Sequence, residues 1–514
     1  MTHEVLGAIE EQLRDDPNGR ALADQDSTWS WADVADELCR AAAGMRAVPG
    51  RWGVFGDNSG PTLIAHVAGL LAATGTVALS RQLTRAEIVR QGQDADVVGL
   101  VAGPSSATAA VAAAAELGVP VVVHGAPADL PCGATAWNSW LAAQEPLTQV
   151  PNGPAAPMMV YTSGTTGRAR GTEVKWVPVK PETAVGYLES LRGRGHLPEG
   201  PHLVVGPLQH NGPLAAVRHL LGGQPVLVLA RFEATEVLRM IERYRVTSTV
   251  MVPTHFQRLL ALDEGVRAAV DVSSLRMVAH TGASCPEKVK RAMIDWFGPV
   301  LVESYGGSEV GTLCRIGALD WLAHPNSVGR PVEPFEVVVL DADGAPVPVG
   351  EPGRLGFRAP HDRSISYHGD PVKTAAAYLL PGVFTLGDIG FVDAEGFVHV
   401  TDRESDMVLS GGVNLYPSEA ETVLLKHPEV ADIAIVGIPE PDMGEQLLAL
   451  VVPRDLQDPP APEELERFCR DELAAYKVPR RYQFVAELPR NEMQKIDKRR
   501  LRRPFWDSER TIAG

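Results

Sequence analysis

Short apolar runs alternate with stretches of helical periodicity along most of this 514-residue sequence. Residues 97–101 and 121–123 are two such runs, and an Ala-rich helical pattern at 105–118 separates them. Parallel strands need a crossover connection, which is usually a helix, so this alternation indicates a mostly parallel sheet with helices on both faces. The same alternation continues beyond residue 200. The sequence therefore predicts an α/β fold.

The chain is too long for one hydrophobic core. Its pattern of predicted secondary structure changes at two places. Residues 328–402 consist of short β-rich segments, with hairpin signals at 341–344 and 393–396. From residue 403 onward the pattern is helix, strand, strand, Pro-rich linker, helix and strand. We therefore expect a large domain over residues 1–402, made of mostly parallel sheets with a β-rich subdomain, and a small α+β domain over 403–514.

Composition narrows the classes of partner. The formal net charge of -17 argues against nucleic acid and anionic membrane. The five cysteines are scattered, which favours reduced thiols over a disulfide framework. The N-terminus shows no signal-peptide pattern, so a cytoplasmic location is expected. Residues 60–80 carry no charged side chain, but His66 and the break at Gly75 favour a buried helix and strand over a membrane span.

A loop rich in glycine and hydroxyl groups, residues 161–171, follows the apolar run 158–160. Glycine allows positive φ and a close approach of the backbone to a ligand. Successive N–H groups and Ser or Thr hydroxyls form anion-binding concavities, and Arg168 and Arg170 add positive charge. The loop lacks the Gly-Lys-Ser/Thr ending of a Walker A motif. Its composition fits either a polyphosphate site or a solvated turn.

Four further motifs with side chains suited to chemistry follow this loop along the chain. An apolar run leads into Tyr305 and Glu309, where a ligand crevice is expected beyond the strand ends. Asp388 follows a short apolar segment, and residues 401–419 contain two polar, glycine-bearing turns. Lys495 lies in a basic C-terminal stretch. Taken singly, these motifs also fit a turn, a hairpin and a solvated surface lysine.

Together, the order and spacing of the motifs resemble the adenylate-forming superfamily, which contains acyl-CoA synthetases, luciferases and peptide-synthetase adenylation domains. The resemblance extends from about residue 20 to the end. Within the superfamily, the sequence pattern of the chain is most similar to that of acid–CoA ligases. It implies an N-terminal AMP-binding domain over 1–402 and a mobile catalytic domain over 403–514, which rotates about a hinge at 403–406.

The resemblance also implies roles for individual residues. Tyr305 would stack on adenine, Ser308 would contact phosphate or substrate, and Glu309 would bind Mg²⁺. Arg170 takes the place of the usual lysine at the end of the phosphate loop. Asp388 and Arg403 would hold the ribose. The remaining nucleotide-binding positions are Thr162, Ser163, Gly164, Thr165, Thr166, Gly167, Gly282, Ala283, Ser284 and Gly306.

Three positions concern the acyl group and its acceptor. His210 would line the acyl-site entrance, although a structural histidine fits as well. Gly411 and Gly412 would let a pantetheine arm pass the backbone. Lys495, preceded by Gln494 where the family usually has glycine, would bridge the attacking carboxylate and the α-phosphate.

The predicted activity is ATP- and Mg²⁺-dependent conversion of an acid to its adenylate, followed by transfer to CoA. One alternative is an adenylating enzyme that transfers to an amine or a carrier protein, or a diazotase that activates nitrite. Another is an inactive nucleotide-binding homologue. The sequence names neither the acid nor the acceptor, and it leaves a homodimer open.

Overall fold

A computed structural model describes residues 6–125, 130–162, 170–193, 197–360, 363–403, 406–410, 413–441, 443–490 and 495–506. The chain divides into two compact units. The first comprises residues 1–281, 289–319 and 359–376, and the second comprises 282–288, 320–358 and 377–514. The predicted boundary at residue 403 stays a prediction.

The helices of the described residues are α1 (Ala8–Asp15), α2 (Trp31–Arg46), α3 (Gly60–Leu71), α4 (Arg85–Asp94), α5 (Ala107–Leu117), α6 (Trp137–Ala142), α7 (Ala184–Arg192), α8 (Asn211–Leu214), α9 (Ala216–Leu221), α10 (Ala234–Tyr244), α11 (Pro253–Leu260), α12 (Glu264–Ala268), α13 (Glu287–Phe297), α14 (Ala318–Ala323), α15 (Pro371–Ala376), α16 (Pro417–Leu424), α17 (Pro462–Arg470) and α18 (Lys498–Arg502).

The strands are β1 (Arg20–Ala23), β2 (Thr28–Ser30), β3 (Arg51–Phe55), β4 (Thr76–Ala78), β5 (Val97–Ala102), β6 (Val121–Val123), β7 (Ala134–Ala136), β8 (Met159–Thr162), β9 (Arg170–Glu173), β10 (His202–Val204), β11 (Val226–Val228), β12 (Ser248–Met251), β13 (Met277–Thr281), β14 (Leu301–Gly307), β15 (Gly311–Gly317), β16 (Arg330–Pro331), β17 (Glu336–Leu340), β18 (Gly353–Arg358), β19 (Tyr378–Leu380), β20 (Val383–Phe384), β21 (Asp388–Val392), β22 (Val398–Arg403), β23 (Val408–Ser410), β24 (Val413–Leu415), β25 (Val430–Glu440), β26 (Gly444–Pro453) and β27 (Arg481–Phe484).

Two mostly parallel sheets form the first unit, as predicted. A seven-stranded sheet has the order β7-β6-β5-β3-β4-β8-β9, and only its β8–β9 pair is antiparallel. The second sheet has the order β15-β14-β13-β12-β10-β11-β1-β2, with antiparallel pairs at its two ends. The Val-rich strands of such sheets are buried on both faces, as β6 and β11 are.

Local sequence signals set several helix ends in this unit. Ser30 and Asp33 form a capping box at the start of α2, and Thr84 and Glu87 form one at α4. Gly118 ends α5 in the left-handed conformation, with φ 70°. The uncharged stretch 60–80 forms the buried helix α3 and the short strand β4, as expected. Within the part of the chain that the structure describes, no helix is both long enough and apolar enough to cross a membrane.

The second unit contains two antiparallel-rich sheets. One has the order β19-β20-β18-β21-β22, with β17 on β18. The other has the order β24-β23-β26-β25, with β27 parallel to β26. Apolar side chains of α16, α17 and the long β25–β26 pair form a core on one face of the latter sheet. This confirms the predicted β-rich region and the small α+β arrangement that follows it.

One predicted hairpin forms and the other forms only in part. The turn at 393–396 joins the paired strands β21 and β22, as expected. The turn at 341–344 also closes, through Asp341 N–H donating to Ala345 O. After it, however, only an isolated bridge joins Leu340 to Pro346, and β17 pairs with β18 instead. Pro346 and Pro348 cannot donate to a ladder, so the returning chain does not form a regular strand.

Candidate active site

The phosphate-loop motif is the connection of a β-hairpin. β8 and β9 pair antiparallel, and Thr162 and Arg170 at the two ends of the loop are cross-strand partners. Ser163, Gly164, Thr165, Thr166 and Gly167 lie outside the described residues, as does the side chain of Thr162. The hairpin therefore fixes where the loop leaves the seven-stranded sheet and where it returns.

The two predicted adenine-binding segments begin at one edge of the second sheet. β13 and β14 are parallel, and Thr281 is the register partner of Ser304. Gly282, Ala283 and Ser284 follow Thr281 directly in the chain. Tyr305 and Gly306 follow Ser304, and Tyr305 is half-buried. A crevice beyond the carboxyl ends of parallel strands is where α/β sheets bind ligands.

Glu309 and Ser308 lie in the turn between β14 and β15. Gly311 ends this turn with φ 79°, and a Cβ added there would lie 2.5 Å from the backbone oxygen of Lys175. The buried guanidinium of Arg363 donates to the Val310 oxygen at 3.0 Å and to the Lys175 oxygen at 2.9 Å. The turn that carries Glu309 is thereby held against the chain that follows β9.

The segment 363–376 brings two further side chains to Glu309, those of Tyr367 and Lys373. It lies along β9, with His368 N–H donating to the Gly171 oxygen at 2.9 Å. The Tyr367 hydroxyl donates to Glu309 Oε1 at 3.2 Å. Burial, and then the nearby Glu309 charge, raise the pKa of Tyr367, so this phenol stays a donor. Glu309 is half-buried, with one oxygen fixed by a neutral donor.

Arg170 forms an ion pair with Asp370, with 2.8 Å between Nε and Oδ2. Lys373 lies in the same cluster, with its Nζ 3.9 Å from the centre of the Tyr367 ring. Burial lowers the pKa of Lys373, and the charge of Arg170 lowers it further, whereas Glu309 and Asp370 oppose the change. Two cations and two carboxylates therefore meet beside the returning end of the phosphate loop.

Asp370 and Lys373 were not predicted as site residues. Asp370 lies in the segment Tyr-His-Gly-Asp-Pro, residues 367–371, and Lys373 follows two residues later. The local signal is a helix start: Asp370 accepts a hydrogen bond from Lys373 N–H at 2.9 Å, and Pro371 is the first residue of α15. Nothing in that signal says that the segment folds back onto β9, so only the tertiary structure reveals the cluster.

His210 immediately precedes α8, in the loop after β10. The Trp176 indole N–H donates to Asn211 Oδ1 at 2.6 Å, which ties the start of α8 to the chain after β9. A Cβ added at Gly212 would lie 3.2 Å from Val250 and 3.7 Å from Thr281. The His210 loop therefore lies at the same sheet edge as the end of β13.

In the second unit, the two predicted ribose-binding residues are cross-strand neighbours. Asp388 begins β21, Arg403 ends β22, and the two are register partners. The Asp388 side chain is buried, and the side chain of Arg403 lies outside the described residues. Gly411 and Gly412 connect β23 to β24 and also lie outside them.

Lys495 directly precedes a short segment of the second unit that is held by backbone contacts to residues 489 and 490. Ile496 and Arg490 form an isolated β-bridge, and Asp497 N–H donates to the Pro489 oxygen at 2.8 Å. The Arg490 guanidinium also forms an ion pair with Asp432 on β25, at 2.5 Å. Gln494 lies outside the described residues. The two sides of the Lys495 loop are thus held together at its base.

The chain thus combines a hairpin whose connection is rich in glycine and hydroxyl residues with a Tyr-x-x-Ser-Glu turn, and comparison with known proteins identifies its family. Residues 9–362 match the family model for AMP-binding enzymes, and residues 419–495 match the model for their C-terminal domain. The chain belongs to the AMP-binding enzyme family. This confirms the predictions of an adenylate-forming fold and of an AMP-forming ligase.

Individual relatives support the same family assignment. A feruloyl-CoA synthase from Amycolatopsis is 32% identical over 96% of this chain and 97% of its own length. A medium/long-chain fatty acid–CoA ligase from Mycobacterium tuberculosis is 33% identical over 69% of this chain, and the alignment spans 62% of that protein. Among solved structures, the amide bond synthetase McbA from Marinactinospora thermotolerans superposes with a TM-score of 0.81 at 27% identity, covering 98% of this chain and 100% of that one.

Proposed function

We propose that this protein activates a carboxylic acid as its adenylate, with ATP as the second substrate, and transfers the acyl group to CoA. The observation that carries the proposal is the cluster of Arg170, Asp370, Lys373 and Glu309 at the end of the phosphate hairpin. A carboxylate and two cations beside a glycine- and hydroxyl-rich loop suit a polyphosphate and its counter-ion.

In the first step, the acid's carboxylate oxygen attacks the α-phosphorus of ATP, and pyrophosphate leaves. Backbone N–H groups of the loop hold the phosphates, and Tyr305 stacks on the adenine. Lys495 would supply the ammonium that stabilises the charge developing on the α-phosphate and the attacking carboxylate. Holding both reactants in line supplies a large part of the rate gain in such transfers.

Glu309 fits the requirements of a Mg²⁺ ligand. Magnesium prefers oxygen ligands and is commonly held by one or two carboxylates plus substrate phosphates. One oxygen of Glu309 is fixed by Tyr367, and the carboxylate is half-buried beside the phosphate hairpin. When bound, the ion would neutralise phosphate charge, while Tyr367 and Lys373 keep the carboxylate in place.

In the second step, the CoA thiolate attacks the carbonyl carbon of the adenylate and AMP leaves. Arg403 and Asp388 serve the nucleotide, and Gly411 and Gly412 serve the pantetheine arm. The names of the two curated relatives support CoA as the acceptor. The amide bond synthetase among the structural neighbours favours an amine as the second candidate acceptor.

A product assay tests the proposal. The enzyme, ATP and Mg²⁺ are incubated with a panel of aliphatic acids, aryl acids and nitrite, with CoA, with an amine or with neither, and products are identified by mass spectrometry. We expect acid-dependent pyrophosphate release in all three conditions and an acyl-CoA product when CoA is present. An amide formed in place of the thioester would replace the ligase proposal with the amide alternative. Absence of pyrophosphate release with every acid would favour the inactive homologue.

A further inference from the structure

A buried ion pair lies three residues beyond Lys495. The ammonium of Lys498, the first residue of α18, is 2.8 Å from Glu421 Oε1 on α16. Both side chains are largely shielded, with 16% and 17% of their surfaces exposed. The same Glu421 oxygen accepts the Ile435 N–H at 2.6 Å. The carboxylate thus joins α18, α16 and β25 at one point.

Lys498 stays a cation in this environment. Burial is the largest influence and by itself would lower the pKa of Lys498. The charges of Glu421, Asp406 and Asp402 together outweigh burial, so the pKa is raised. An isolated buried ammonium would be costly, whereas a hydrogen-bonded pair with further carboxylates nearby keeps its charge.

The two other carboxylates, called here the hinge carboxylates, lie at the predicted hinge: Asp406 is its last residue, and Asp402 directly precedes it. Asp402 accepts hydrogen bonds at 3.1 Å from the backbone N–H and from the hydroxyl of Ser418, at the start of α16. Asp406 forms an ion pair with Arg502 on α18, at 3.4 Å. Two cations of α18, Lys498 and Arg502, therefore face the hinge carboxylates.

The same short helix is continuous with the Lys495 loop. Ile496 and Leu501, on either side of Lys498, pack against buried side chains of β25 and β26. Asp497 caps α18 by accepting the Arg500 N–H at 2.9 Å. A displacement of α18 would therefore be passed directly to Lys495.

We propose that Lys498 is a positioning residue, which holds Lys495 in place by anchoring α18 to Glu421 and to the hinge carboxylates. This inference rests on the proposed function, because it gives Lys495 its catalytic part. Misplacement of a reacting group by about 1 Å can cost on the order of 100-fold in rate. Loss of the Lys498 anchor is expected to act in this way, on kcat and not on substrate binding.

The test is a double-mutant comparison in the ATP–pyrophosphate exchange assay, with the acid that the product assay identifies. We expect Lys498→Met to lower kcat about 10- to 100-fold with little change in KM for ATP or acid. Lys498→Arg should recover a large part of the loss, because a guanidinium can also pair with Glu421. Lys426→Met is the matched control, since it removes an exposed ion pair of the same unit, with Glu472 at 2.7 Å, and should leave kcat unchanged.

The decisive arm repeats Lys498→Met in a Lys495→Ala background. If Lys498 acts through Lys495, the second substitution should lower the residual rate no further. An equal fold-loss in both backgrounds would overturn the inference and leave Lys498 a purely structural residue.

A replacement variant covers a folding defect, and the single variants distinguish failure of the positioning role from failure of the proposed role of Lys495. Should Lys498→Met not fold, Glu421→Gln removes the same ion pair while keeping an acceptor for the Ile435 N–H, and the same non-additivity is expected. Unchanged exchange in Lys495→Ala itself would contradict the proposed role of Lys495. Loss of exchange in Lys495→Ala with full activity in a folded Lys498→Met would contradict only the positioning role.

Discussion

At the residue scale, the candidate site depends on what surrounds Glu309. A half-buried carboxylate can be held by neutral donors or by cations, and here it has both: the Tyr367 hydroxyl at 3.2 Å and the charge of Lys373 nearby. The phenol fixes the orientation of the carboxylate without cancelling its charge. The ammonium adds positive potential on the side where the phosphate loop returns.

Removal of the Tyr367 hydroxyl should weaken the site without unfolding it. A hydrogen bond to a charged acceptor contributes about 1.5–3 kcal/mol. Tyr367→Phe is therefore expected to lower kcat/KM for pyrophosphate release roughly 10- to 100-fold and to raise the Mg²⁺ concentration needed for half-maximal activity. Tyr476→Phe, on an exposed residue, is the matched control. Unchanged Mg²⁺ dependence in Tyr367→Phe would exclude Glu309 as the ligand that Tyr367 orients.

Lys373 should contribute to ATP binding. Lys373→Met keeps the apolar stem over the Tyr367 ring but removes the charge beside Arg170. We expect KM for ATP to rise about 3- to 10-fold, because one favourable charge interaction at a partly exposed site is worth about 1 kcal/mol. The effect should shrink at high salt. Lys288→Met, at an exposed position, should leave KM unchanged, and an equal change in both variants would argue against a local role for Lys373.

The order of the motifs predicted the site residues themselves, but it did not predict the residues that hold them in place. Asp388 and Arg403 were both expected at the ribose, and the structure makes them cross-strand partners. Asp370, Lys373 and Lys498 were not assigned, although all three lie next to predicted residues in space or in sequence. Their partners Arg170, Glu309 and Glu421 are distant along the chain, so no local periodicity or spacing records the contacts.

At the element scale, the β14–β15 turn is the structural unit that places Glu309. Gly311 has φ 79°, and the space where its Cβ would lie is occupied by the Lys175 backbone oxygen. A side chain there would be strained in dihedral angle and would push the turn away from the chain after β9. The Ala-rich helix predicted over 105–118 forms as α5, within two residues at each end. The strand pairing after residue 344 was not predicted, because it depends on β18, which is distant from β17 along the chain.

Gly311→Ala should therefore destabilise the protein and impair the site together. We expect a loss of about 1–3 kcal/mol in the free energy of unfolding and a clear fall in pyrophosphate release. Gly317→Ala is a matched control in the same strand, since a Cβ at Gly317 would meet nothing within 4 Å. Thermal unfolding and activity measured side by side check the prediction. Two equally active variants would show that the turn tolerates displacement.

At the scale of the whole molecule, buried histidines make stability depend on pH. Burial lowers the pKa of His66, His202 and His255 to about 3 and that of His124 to about 4. In the unfolded chain these groups titrate near their ordinary value of about 6.5. Between these limits the unfolded state binds more protons, so the free energy of unfolding falls as the pH drops below about 6.5.

The unfolding midpoint should thus decrease steadily from about pH 6.5 toward pH 4. His66→Asn, which can keep the hydrogen bond to Thr76, should flatten this dependence by up to about 1.4 kcal/mol per pH unit. The measurement is thermal unfolding followed by tryptophan fluorescence over this range. An identical pH dependence in wild type and His66→Asn would contradict a neutral buried His66.

In the proposed function, one loop and one carboxylate of the first unit hold ATP, and Lys495 assists attack by the acid. The most direct measurement is isotope exchange between pyrophosphate and ATP in the presence of the acid. We expect exchange that requires the acid and falls on the order of 100-fold or more in Glu309→Gln and in Lys495→Ala. Lys495→Ala should still convert a supplied acyl-adenylate and CoA to the thioester. Exchange at the wild-type rate in both folded variants would contradict the proposed roles of Glu309 and Lys495.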